Sequence, residues 1–340
     1  MFLKCLVFCR WKHSLRQHPT QIEELCHRFS FADLRKSTNN FDHSKLIERK
    51  ASAKVYKGCL LHNDGSVSIV AVKRFNGERS LEWDLFKNEV ELLCQLRHPN
   101  FISLIGFCNH QNEKILVYEY MSNGSLHKKL RGGDNRETLS WKKRLKICIG
   151  TARGLHYLHA GAKRTIIHRD INTRNILLDE NMEPKLSGFG LCLQGARYNS
   201  KPKPIEVDCM MGSVDYMAMD YVVNGIVTDK CDVYSFGWVL LEVVCGCGRI
   251  YVTKLKSVEE SIDLNIKGNI APQCWQVFID IIIRCLENEP HVKPTMGEVE
   301  VELEHALSLQ EQADATNNTN GDYTLFSSTM IDPWWNRNPT

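Results

Sequence analysis

The sequence lacks the features of several large protein classes. It contains no run of 18 apolar residues, so it predicts no membrane-spanning helix. Neither sign of charge is in excess, because 43 basic and 40 acidic residues give a net charge of +3, which provides no general attraction to nucleic acid. No internal repeat is visible. These absences argue against a multi-span membrane protein, a repeat array and a strongly basic nucleic-acid-binding protein.

Zinc-type cysteine spacing is also missing. The 14 cysteines are scattered along the chain from Cys5 to Cys285, and no pair of C-x-x-C units occurs at the spacing of a zinc site. A chain of 340 residues is too long for a small disulfide scaffold. We therefore interpret the cysteines as buried or surface thiols of a protein in a reducing compartment.

The composition that remains is globular and carries two kinds of pattern. Apolar residues make up 43% of the chain and charged residues 24%. Residues 67–75 and 114–121 are rich in β-branched and aromatic side chains and predict strands, whereas apolar residues recur at helical spacing over 141–158. Residues 233–244 are almost wholly apolar and predict a buried helix. A strand-rich first third followed by a helical remainder predicts an α+β protein of two lobes.

The N-terminal segment, residues 1–28, has a composition of its own. Cys5 and Cys9 lie among apolar and basic residues, and the first acidic residue is Glu23. This pattern favours S-palmitoylation of both cysteines together with basic attraction to an anionic leaflet, the two signals that stable membrane anchoring needs. The alternative is a frayed terminus with two incidental thiols.

Six short strings occur in a fixed order along the chain. Each is weak alone, but together they form the signature set of the protein kinases. They are Val70-Ala-Val-Lys73, Glu89, His168-Arg-Asp-Ile-Asn-Thr-Arg-Asn175, Gly188-Phe-Gly190, Asp232-Val-Tyr-Ser-Phe-Gly237 and Lys293-Pro-Thr-Met296.

The strings between these motifs resemble one branch of that family. Gln95-Leu-Arg-His-Pro-Asn100, Leu116-Val-Tyr-Glu-Tyr-Met121 and the helical stretch that ends at His159 are similar to plant receptor-like kinases, most closely to the intracellular domain of the FERONIA-type (malectin-like) group. Neither an extracellular domain nor a spanning helix is visible, so the chain resembles a cytoplasmic member. The resemblance implies a bilobal protein-kinase fold divided into a helical lead-in (29–43), an N-lobe (44–121) and a C-lobe (122–309). The polar composition of residues 310–340 predicts a disordered tail.

The resemblance also implies a role for each matching residue. Lys73 contacts the α- and β-phosphates of ATP and pairs with Glu89. Asp170 accepts the proton of the substrate hydroxyl, and Asn175 holds one Mg²⁺. At the adenine end, the resemblance implies that the backbones of Glu119 and Met121 bind the base. It also implies that three apolar side chains line the adenine site: Val55, Ala71 and Leu177. Those implied in a packed column between the lobes are Leu93, Leu104, His168 and Phe189.

The glycine-rich loop departs from the family pattern. Glu48, Lys50 and Ala53 stand where the family has glycines, which let backbone N–H groups approach phosphate closely. Glu48 repels phosphate, although Arg49 and Lys50 offset that repulsion.

Two further departures concern the metal and the transferred phosphate. Gly188 stands in place of the aspartate that is the principal Mg²⁺ ligand, and glycine has no side chain to substitute for it. Asn172 stands in place of a lysine that faces the γ-phosphate. The sequence therefore allows ATP binding but makes Mg²⁺ binding doubtful.

The activation segment differs as well. Asp220 and Lys293 replace a Glu–Arg pair, and an ion pair between them is still allowed. Asp208 aligns with the usual phosphorylated threonine, so it either pairs with Arg169 and imitates a phosphate or is a solvated loop acid. The stretch 252–261 is shorter than in the family, where it carries a docking helix.

These departures predict a pseudokinase of plant receptor-like kinase signalling. It acts as a scaffold or allosteric partner of an active receptor-like kinase or an immune receptor, at the cytoplasmic face of the plasma membrane or in the cytoplasm. The alternatives are a weakly active ATP-dependent serine/threonine kinase that uses Asp170 and Asn175, and a decaying gene copy with little function.

Overall fold

The structure is a computed structural model of the protein, and it describes only part of the chain. The described residues are 26–62, 64–77, 80–132, 138–197, 203–246, 258, 261–316 and 323. The predicted lipidation sites Cys5 and Cys9, and most of the shortened stretch 252–261, lie outside these residues.

The N-terminal lobe is a six-stranded sheet with one long helix packed on it. Its strands are β1 (His27–Arg28), β2 (Leu46–Arg49), β3 (Ala53–Leu61), β4 (Val67–Phe75), β5 (Leu104–His110) and β6 (Glu113–Glu119), in the spatial order β1-β5-β6-β4-β3-β2. Helices α1 (Phe31–Ser37) and α2 (Ser80–Gln95) complete the lobe. The strand predicted at 67–75 is confirmed as β4, and the one predicted at 114–121 is β6.

The C-terminal lobe is mainly helical. Its helices are α3 (Leu126–Leu130), α4 (Trp141–His156), α5 (Met219–Asn224), α6 (Asp229–Cys245), α7 (Pro272–Cys285) and α8 (Met296–Thr316). Three two-stranded sheets join β7 (Arg164–Ile167) to β10 (Leu193–Arg197), β8 (Ile176–Leu178) to β9 (Pro184–Leu186), and β11 (Ile205–Glu206) to β12 (Ile226–Val227). Every side chain of α6 from 231 to 245 is buried, as its apolar sequence predicts, because the other helices of the lobe surround it.

A single large hydrophobic core continues from the sheet into the helical lobe. It joins residues of α2, such as Leu93, to residues of the C-lobe such as Phe189 and Leu186. A smaller cluster lies on the other face of the sheet, where Leu34 of α1 covers Val72 and Val117. The bilobal α+β kinase fold is therefore confirmed. None of the helices in the described part of the chain is long and apolar enough to cross a membrane.

The structure corrects both predicted boundaries of the domain. His27 and Arg28, assigned from sequence to the N-terminal segment, form β1 and pair in parallel with β5. At the other end, α8 continues through the predicted start of the tail to Thr316. Gln310 is buried because its side chain accepts a hydrogen bond from the N–H of Ala271 (2.8 Å) and donates one to a backbone carbonyl. A polar residue with satisfied hydrogen bonds therefore continues the fold where polarity alone predicts disorder.

Candidate functional site

A cleft lies between the sheet and the helical lobe, and its inner end is apolar. Val55 and Ala71 come from the paired strands β3 and β4, and Leu177 comes from β8 on the opposite wall. Met121 follows β6 and closes the side of the cleft. The structure thus brings together, on facing surfaces, four residues that the sequence places up to 122 positions apart. Two apolar walls of this kind suit a flat aromatic ring such as adenine.

Glu119 lines the cleft, and two groups hold its carboxylate. The carboxylate accepts hydrogen bonds from the N–H of Ser103 (2.7 Å) and from the Nζ of Lys185 (3.1 Å). Lys185 lies on β9 of the other lobe, so this contact also fastens the two lobes at the back of the cleft.

Deeper in the cleft, Lys73 and Glu89 form the predicted ion pair. Lys73 Nζ lies 2.5 Å from Glu89 Oε2, and the hydroxyl of Tyr118 donates to the other carboxylate oxygen at 2.6 Å. Burial acts to raise the pKa of Glu89, but the charge of Lys73 and these two hydrogen bonds outweigh it, so the pKa is lowered. Burial beside Glu89 raises the pKa of Tyr118 well above its usual value, which keeps the phenol a donor. Helix α2 is therefore fixed against the sheet.

The predicted column between the lobes is packed and continuous with a fixed loop. Leu93, Leu104, His168 and Phe189 are all buried, and the rings of His168 and Phe189 lie 5.2 Å apart edge to face. Asp232 accepts the backbone N–H groups of His168 (2.7 Å) and Arg169 (2.8 Å) and pairs with a third group, the ring of His159. These bonds hold the loop that carries Asp170.

Asp170 is surrounded by donors. Its Oδ1 accepts from the hydroxyl of Ser213 (2.7 Å) and from Asn172 Nδ2 (3.1 Å). Its Oδ2 accepts from Asn175 Nδ2 at 2.7 Å. A hydroxyl therefore sits against the carboxylate that the resemblance makes the base. Asn172 supplies hydrogen bonds at the position of the family lysine, but it supplies no charge.

Lys50 makes a contact in the candidate site that was not predicted from the sequence. Its Nζ crosses the cleft and donates to Asn175 Oδ1 at 2.8 Å. Burial and the neighbouring charge of Lys73 lower the pKa of Lys50, against the opposing effect of the carboxylates of Glu48 and Asp170. The position of Lys50 in the sequence could have indicated this contact, because Lys50 replaces a glycine that lies over the phosphates in the family that this chain resembles.

The residues present do not fit a magnesium ion. Gly188 has a left-handed backbone with φ at +89°, and a Cβ built on it would lie 2.9 Å from Asn175 Nδ2 and 3.0 Å from Oδ1. The Asn175 carboxamide thus occupies the space beside Gly188, and its oxygen is bonded to Lys50. Magnesium requires hard oxygen ligands in near-octahedral arrangement, and this site does not assemble them.

Two contacts allowed by the sequence do not form. Within the described residues, Asp220 and Lys293 make no ion pair: Lys293 donates instead to the carbonyl of Asn288 (3.1 Å), and Asp220 Oδ1 is buried without a hydrogen-bond partner. Burial lowers the pKa of Lys293. In the part of the chain that the structure describes, no contact joins Asp208 to Arg169 either. Asp208 is exposed, which fits the alternative of a solvated loop acid.

Arg169 contacts Tyr221 of α5 and the carbonyl of Leu191, which follows the Gly188-Phe-Gly190 motif. Its guanidinium donates to the hydroxyl of Tyr221 at 2.7 Å and lies 5.5 Å from the centre of that ring. This interaction with Tyr221 stabilises the segment beneath the catalytic loop, and it occupies Arg169 without the phosphate or carboxylate with which that arginine could otherwise pair.

The whole sequence was compared with known protein families and curated proteins. It matches the family described as "Protein tyrosine and serine/threonine kinase" over residues 41–303. It is 42% identical over 308 residues to "Receptor-like protein kinase ANXUR2" and 40% identical over 306 residues to "Receptor-like protein kinase FERONIA", both from Arabidopsis thaliana. These alignments cover 86% and 85% of this chain but 35% and 33% of the relatives, so the chain spans about a third of their length.

The match to the family covers most of the two lobes, the cleft between them and every motif described above. Kinase domains generally use ATP, usually with Mg²⁺. This chain therefore belongs to the protein tyrosine and serine/threonine kinase family, and its kinase domain is similar to those of plant receptor-like kinases.

Proposed function

We propose that this protein is a pseudokinase that serves as a scaffold or allosteric partner in receptor-like kinase signalling. The observation that carries the proposal is the state of the metal site: Gly188 offers no ligand, and Asn175 Oδ1 is bonded to the ammonium of Lys50 at 2.8 Å. Phosphoryl transfer depends on metal ions that neutralise the developing charge on the phosphates. A site without ligands for them keeps the fold but loses the main source of rate.

The size of the expected loss supports an inactive protein. Removing one transition-state contact typically lowers a rate by ~10²–10³. Three are changed, at the loop, at Gly188 and at Asn172, so the combined loss is on the order of 10⁶ if they act independently. Starting from a kinase rate of ~1–100 s⁻¹, turnover falls to about 10⁻⁶–10⁻⁴ s⁻¹, which is too slow for ordinary signalling.

The intact framework supports a binding role. The Lys73–Glu89 pair, the packed column and the Asp232 bonds hold α2 and the catalytic loop in one arrangement. A domain of fixed shape can bind one state of a partner better than another, which is what allosteric control requires.

The relatives suggest the kind of partner and place. Their names describe receptor-like protein kinases, so an active receptor-like kinase or an immune receptor is the proposed partner. Palmitoylation of Cys5 and Cys9 would hold the protein at the cytoplasmic face of the plasma membrane; without it, the protein would be cytoplasmic. Nucleic acid is not a proposed partner, given the net charge of +3.

The alternative function is a weakly active serine/threonine kinase. One observation favours it: Asp170 already accepts a hydrogen bond from a hydroxyl, that of Ser213, at 2.7 Å. A substrate hydroxyl in the same position would be placed for proton transfer.

The test compares phosphate incorporation with partner binding for the full-length protein. With labelled ATP and either Mg²⁺ or Mn²⁺, we expect no incorporation above that of Asp170→Asn. The intracellular domain of FERONIA serves as the bait in a binding assay, and we expect association and a change in the activity of the bait. Incorporation that disappears in Asp170→Asn would support the weak kinase instead. Failure to bind any receptor-like kinase or immune-receptor domain would contradict the scaffold.

A further inference from the structure

The phosphate end of the cleft contains a lysine that kinase chemistry does not require. Lys50 lies in the turn between β2 and β3, and its side chain reaches residue 175 in the opposite lobe. The turn itself is fixed, because Asn76 at the end of β4 donates to the carbonyl of Ala51 (3.1 Å) and its N–H donates to Ser52 O (2.9 Å). The ammonium is therefore held over the cleft by a rigid hairpin.

The contact with Asn175 has a defined orientation. Asn175 Nδ2 donates to Asp170 Oδ2 at 2.7 Å, and a carboxylate can only accept. The opposite end of the amide is therefore oxygen, and it accepts from Lys50, which can only donate. Both polar atoms of the Asn175 side chain, which the resemblance assigns to a metal, are thus already hydrogen-bonded within the protein.

Gly188 completes this arrangement. Glycine contributes no carboxylate beside Asn175, and the Asn175 carboxamide lies within about 3.0 Å of the position where a Cβ would begin. The charged groups that face the ammonium are Lys73, Glu48, Asp170 and Glu89. Lys50 and Lys73 together bring two positive charges to the end of the cleft where phosphates would lie.

We infer that the Lys50 ammonium stands in place of the divalent metal, so that the cleft binds a nucleoside triphosphate as the free anion, without Mg²⁺. The adenine end retains its apolar walls for the base. At the phosphate end, a lysine ammonium has three N–H donors, and the described structure uses one of them, on Asn175. The other two are available to phosphate oxygens. This inference goes beyond the proposed function, since a scaffold needs no nucleotide.

The first experiment measures binding of ATP to the purified full-length protein by calorimetry. Three conditions are compared: excess EDTA, Mg²⁺ and Mn²⁺. We expect the dissociation constant of ATP to differ by less than about threefold among the three conditions, because the cleft offers no set of side chains that would coordinate a metal bound to ATP. Binding that is more than about tenfold tighter with either metal would overturn the inference, as would the absence of binding in all three conditions. The latter result would leave the scaffold proposal intact.

The second experiment removes the ammonium. In EDTA, Lys50→Met is expected to weaken ATP binding by about 10- to 100-fold, the range for losing a hydrogen bond to a charged group. Lys54→Met is the matched control, because Lys54 is an exposed lysine on β3 of the same hairpin and is expected to change binding by less than about twofold. Wild-type affinity for Lys50→Met in EDTA would contradict the inference. Thermal unfolding without ligand establishes that each variant is folded.

A third variant is designed to restore a metal site in place of the Lys50 ammonium. The double substitution Lys50→Gly with Gly188→Asp frees Asn175 Oδ1 and adds a carboxylate, so Mg²⁺ is expected to tighten ATP binding by about tenfold or more. The result is separable from the proposed function, which is tested by Asp170-dependent phosphate transfer and by binding of a partner. A double variant that still binds ATP equally with and without metal would argue against Lys50 as the metal's replacement.

Discussion

The framework between the lobes and the phosphate end of the cleft differ sharply, although both are built from kinase motifs. The framework retains the residue types of the family at Lys73, Glu89, His168 and Asp232, and each makes the contact expected of it. At the phosphate end, Glu48, Lys50 and Gly188 depart from the pattern and line one cleft, which Lys50 bridges.

The difference shows which constraints a fold imposes on its own. Framework side chains are buried and bind several elements at once, so replacing one leaves a polar group unsatisfied or opens a cavity in the core. The groups at the phosphate end contact one another across a cleft. Their replacement removes chemistry but leaves the packing of both lobes unchanged. Five measurements would break or sharpen this comparison.

Acid is expected to have the largest effect, because it acts on several framework carboxylates together. Glu89 and Asp232 have lowered pKa values in the folded protein, so each contributes stability above its unfolded pKa, and that stability is lost as the pH falls through the folded pKa. We expect the free energy of unfolding to fall steeply below about pH 4. Urea unfolding measured from pH 7 to pH 3 tests this. A flat profile would show that these carboxylates do not stabilise the framework.

The largest effect of a single substitution is expected at Asp232. Asp232→Ala removes the acceptor of two backbone N–H groups and leaves His159 buried without its partner, which destabilises the protein by about 3–5 kcal/mol. The measurement is urea unfolding at pH 7. Asp229→Ala, which alters a half-buried aspartate in the first turn of the same helix, is the control and is expected to lower stability far less.

Lys73→Met is expected to lower stability by about 2 kcal/mol. It leaves the carboxylate of Glu89 buried with the hydroxyl of Tyr118 as its remaining donor. Lys87→Met is the control, because Lys87 is exposed and lies 3.6 Å from Glu91 on the same helix, so this pair contributes less than about 0.5 kcal/mol. Equal effects of the two substitutions would mean that the buried pair does not belong to the framework.

Gly188→Asp alone is expected to lower stability by about 1 kcal/mol, because the new side chain crowds Asn175. Gly65→Asp is the control that separates crowding from backbone strain. Gly65 has a similar φ of +81°, but nothing lies within 4 Å of its Cβ position. Thermal unfolding compares the two. An equal loss at Gly65 would show that backbone strain, and not crowding, dominates.

Lys50→Met is expected to have the smallest effect on stability, under about 0.5 kcal/mol, because its bond crosses a cleft and no core packing depends on it. This contrasts with its expected effect on ATP binding. If Lys50→Met destabilises the protein as much as Lys73→Met, the phosphate end is part of the framework and the comparison fails.

Much of the fold could be predicted from the sequence because it depends on local pattern. A segment rich in β-branched residues predicts β4, and an almost continuous apolar run predicts α6. The errors lie at the edges of the domain. β1 is two residues long and depends on a neighbouring strand, and the last turns of α8 depend on hydrogen bonds from Gln310 to a distant loop. Neither interaction leaves a periodic signal.

The candidate site could be predicted in part. Motif spacing identifies the residues lining the cleft, because the fold fixes where each motif lies. The lost ion pair of Asp220 and Lys293 could not be predicted, since it depends on where each side chain turns after packing. The same holds for Arg169, which binds Tyr221 and not Asp208.

The sequence by itself determined the bilobal kinase fold, the presence of Lys73, Glu89 and Asp170, and the absence of a side chain at residue 188. Only the tertiary structure decided what occupies the phosphate end of the cleft. A lysine 125 positions from Asn175 reaches it because the β2–β3 hairpin folds over the opposite lobe. Long-range electrostatic contacts depend on three-dimensional distance, and local sequence pattern does not encode that distance.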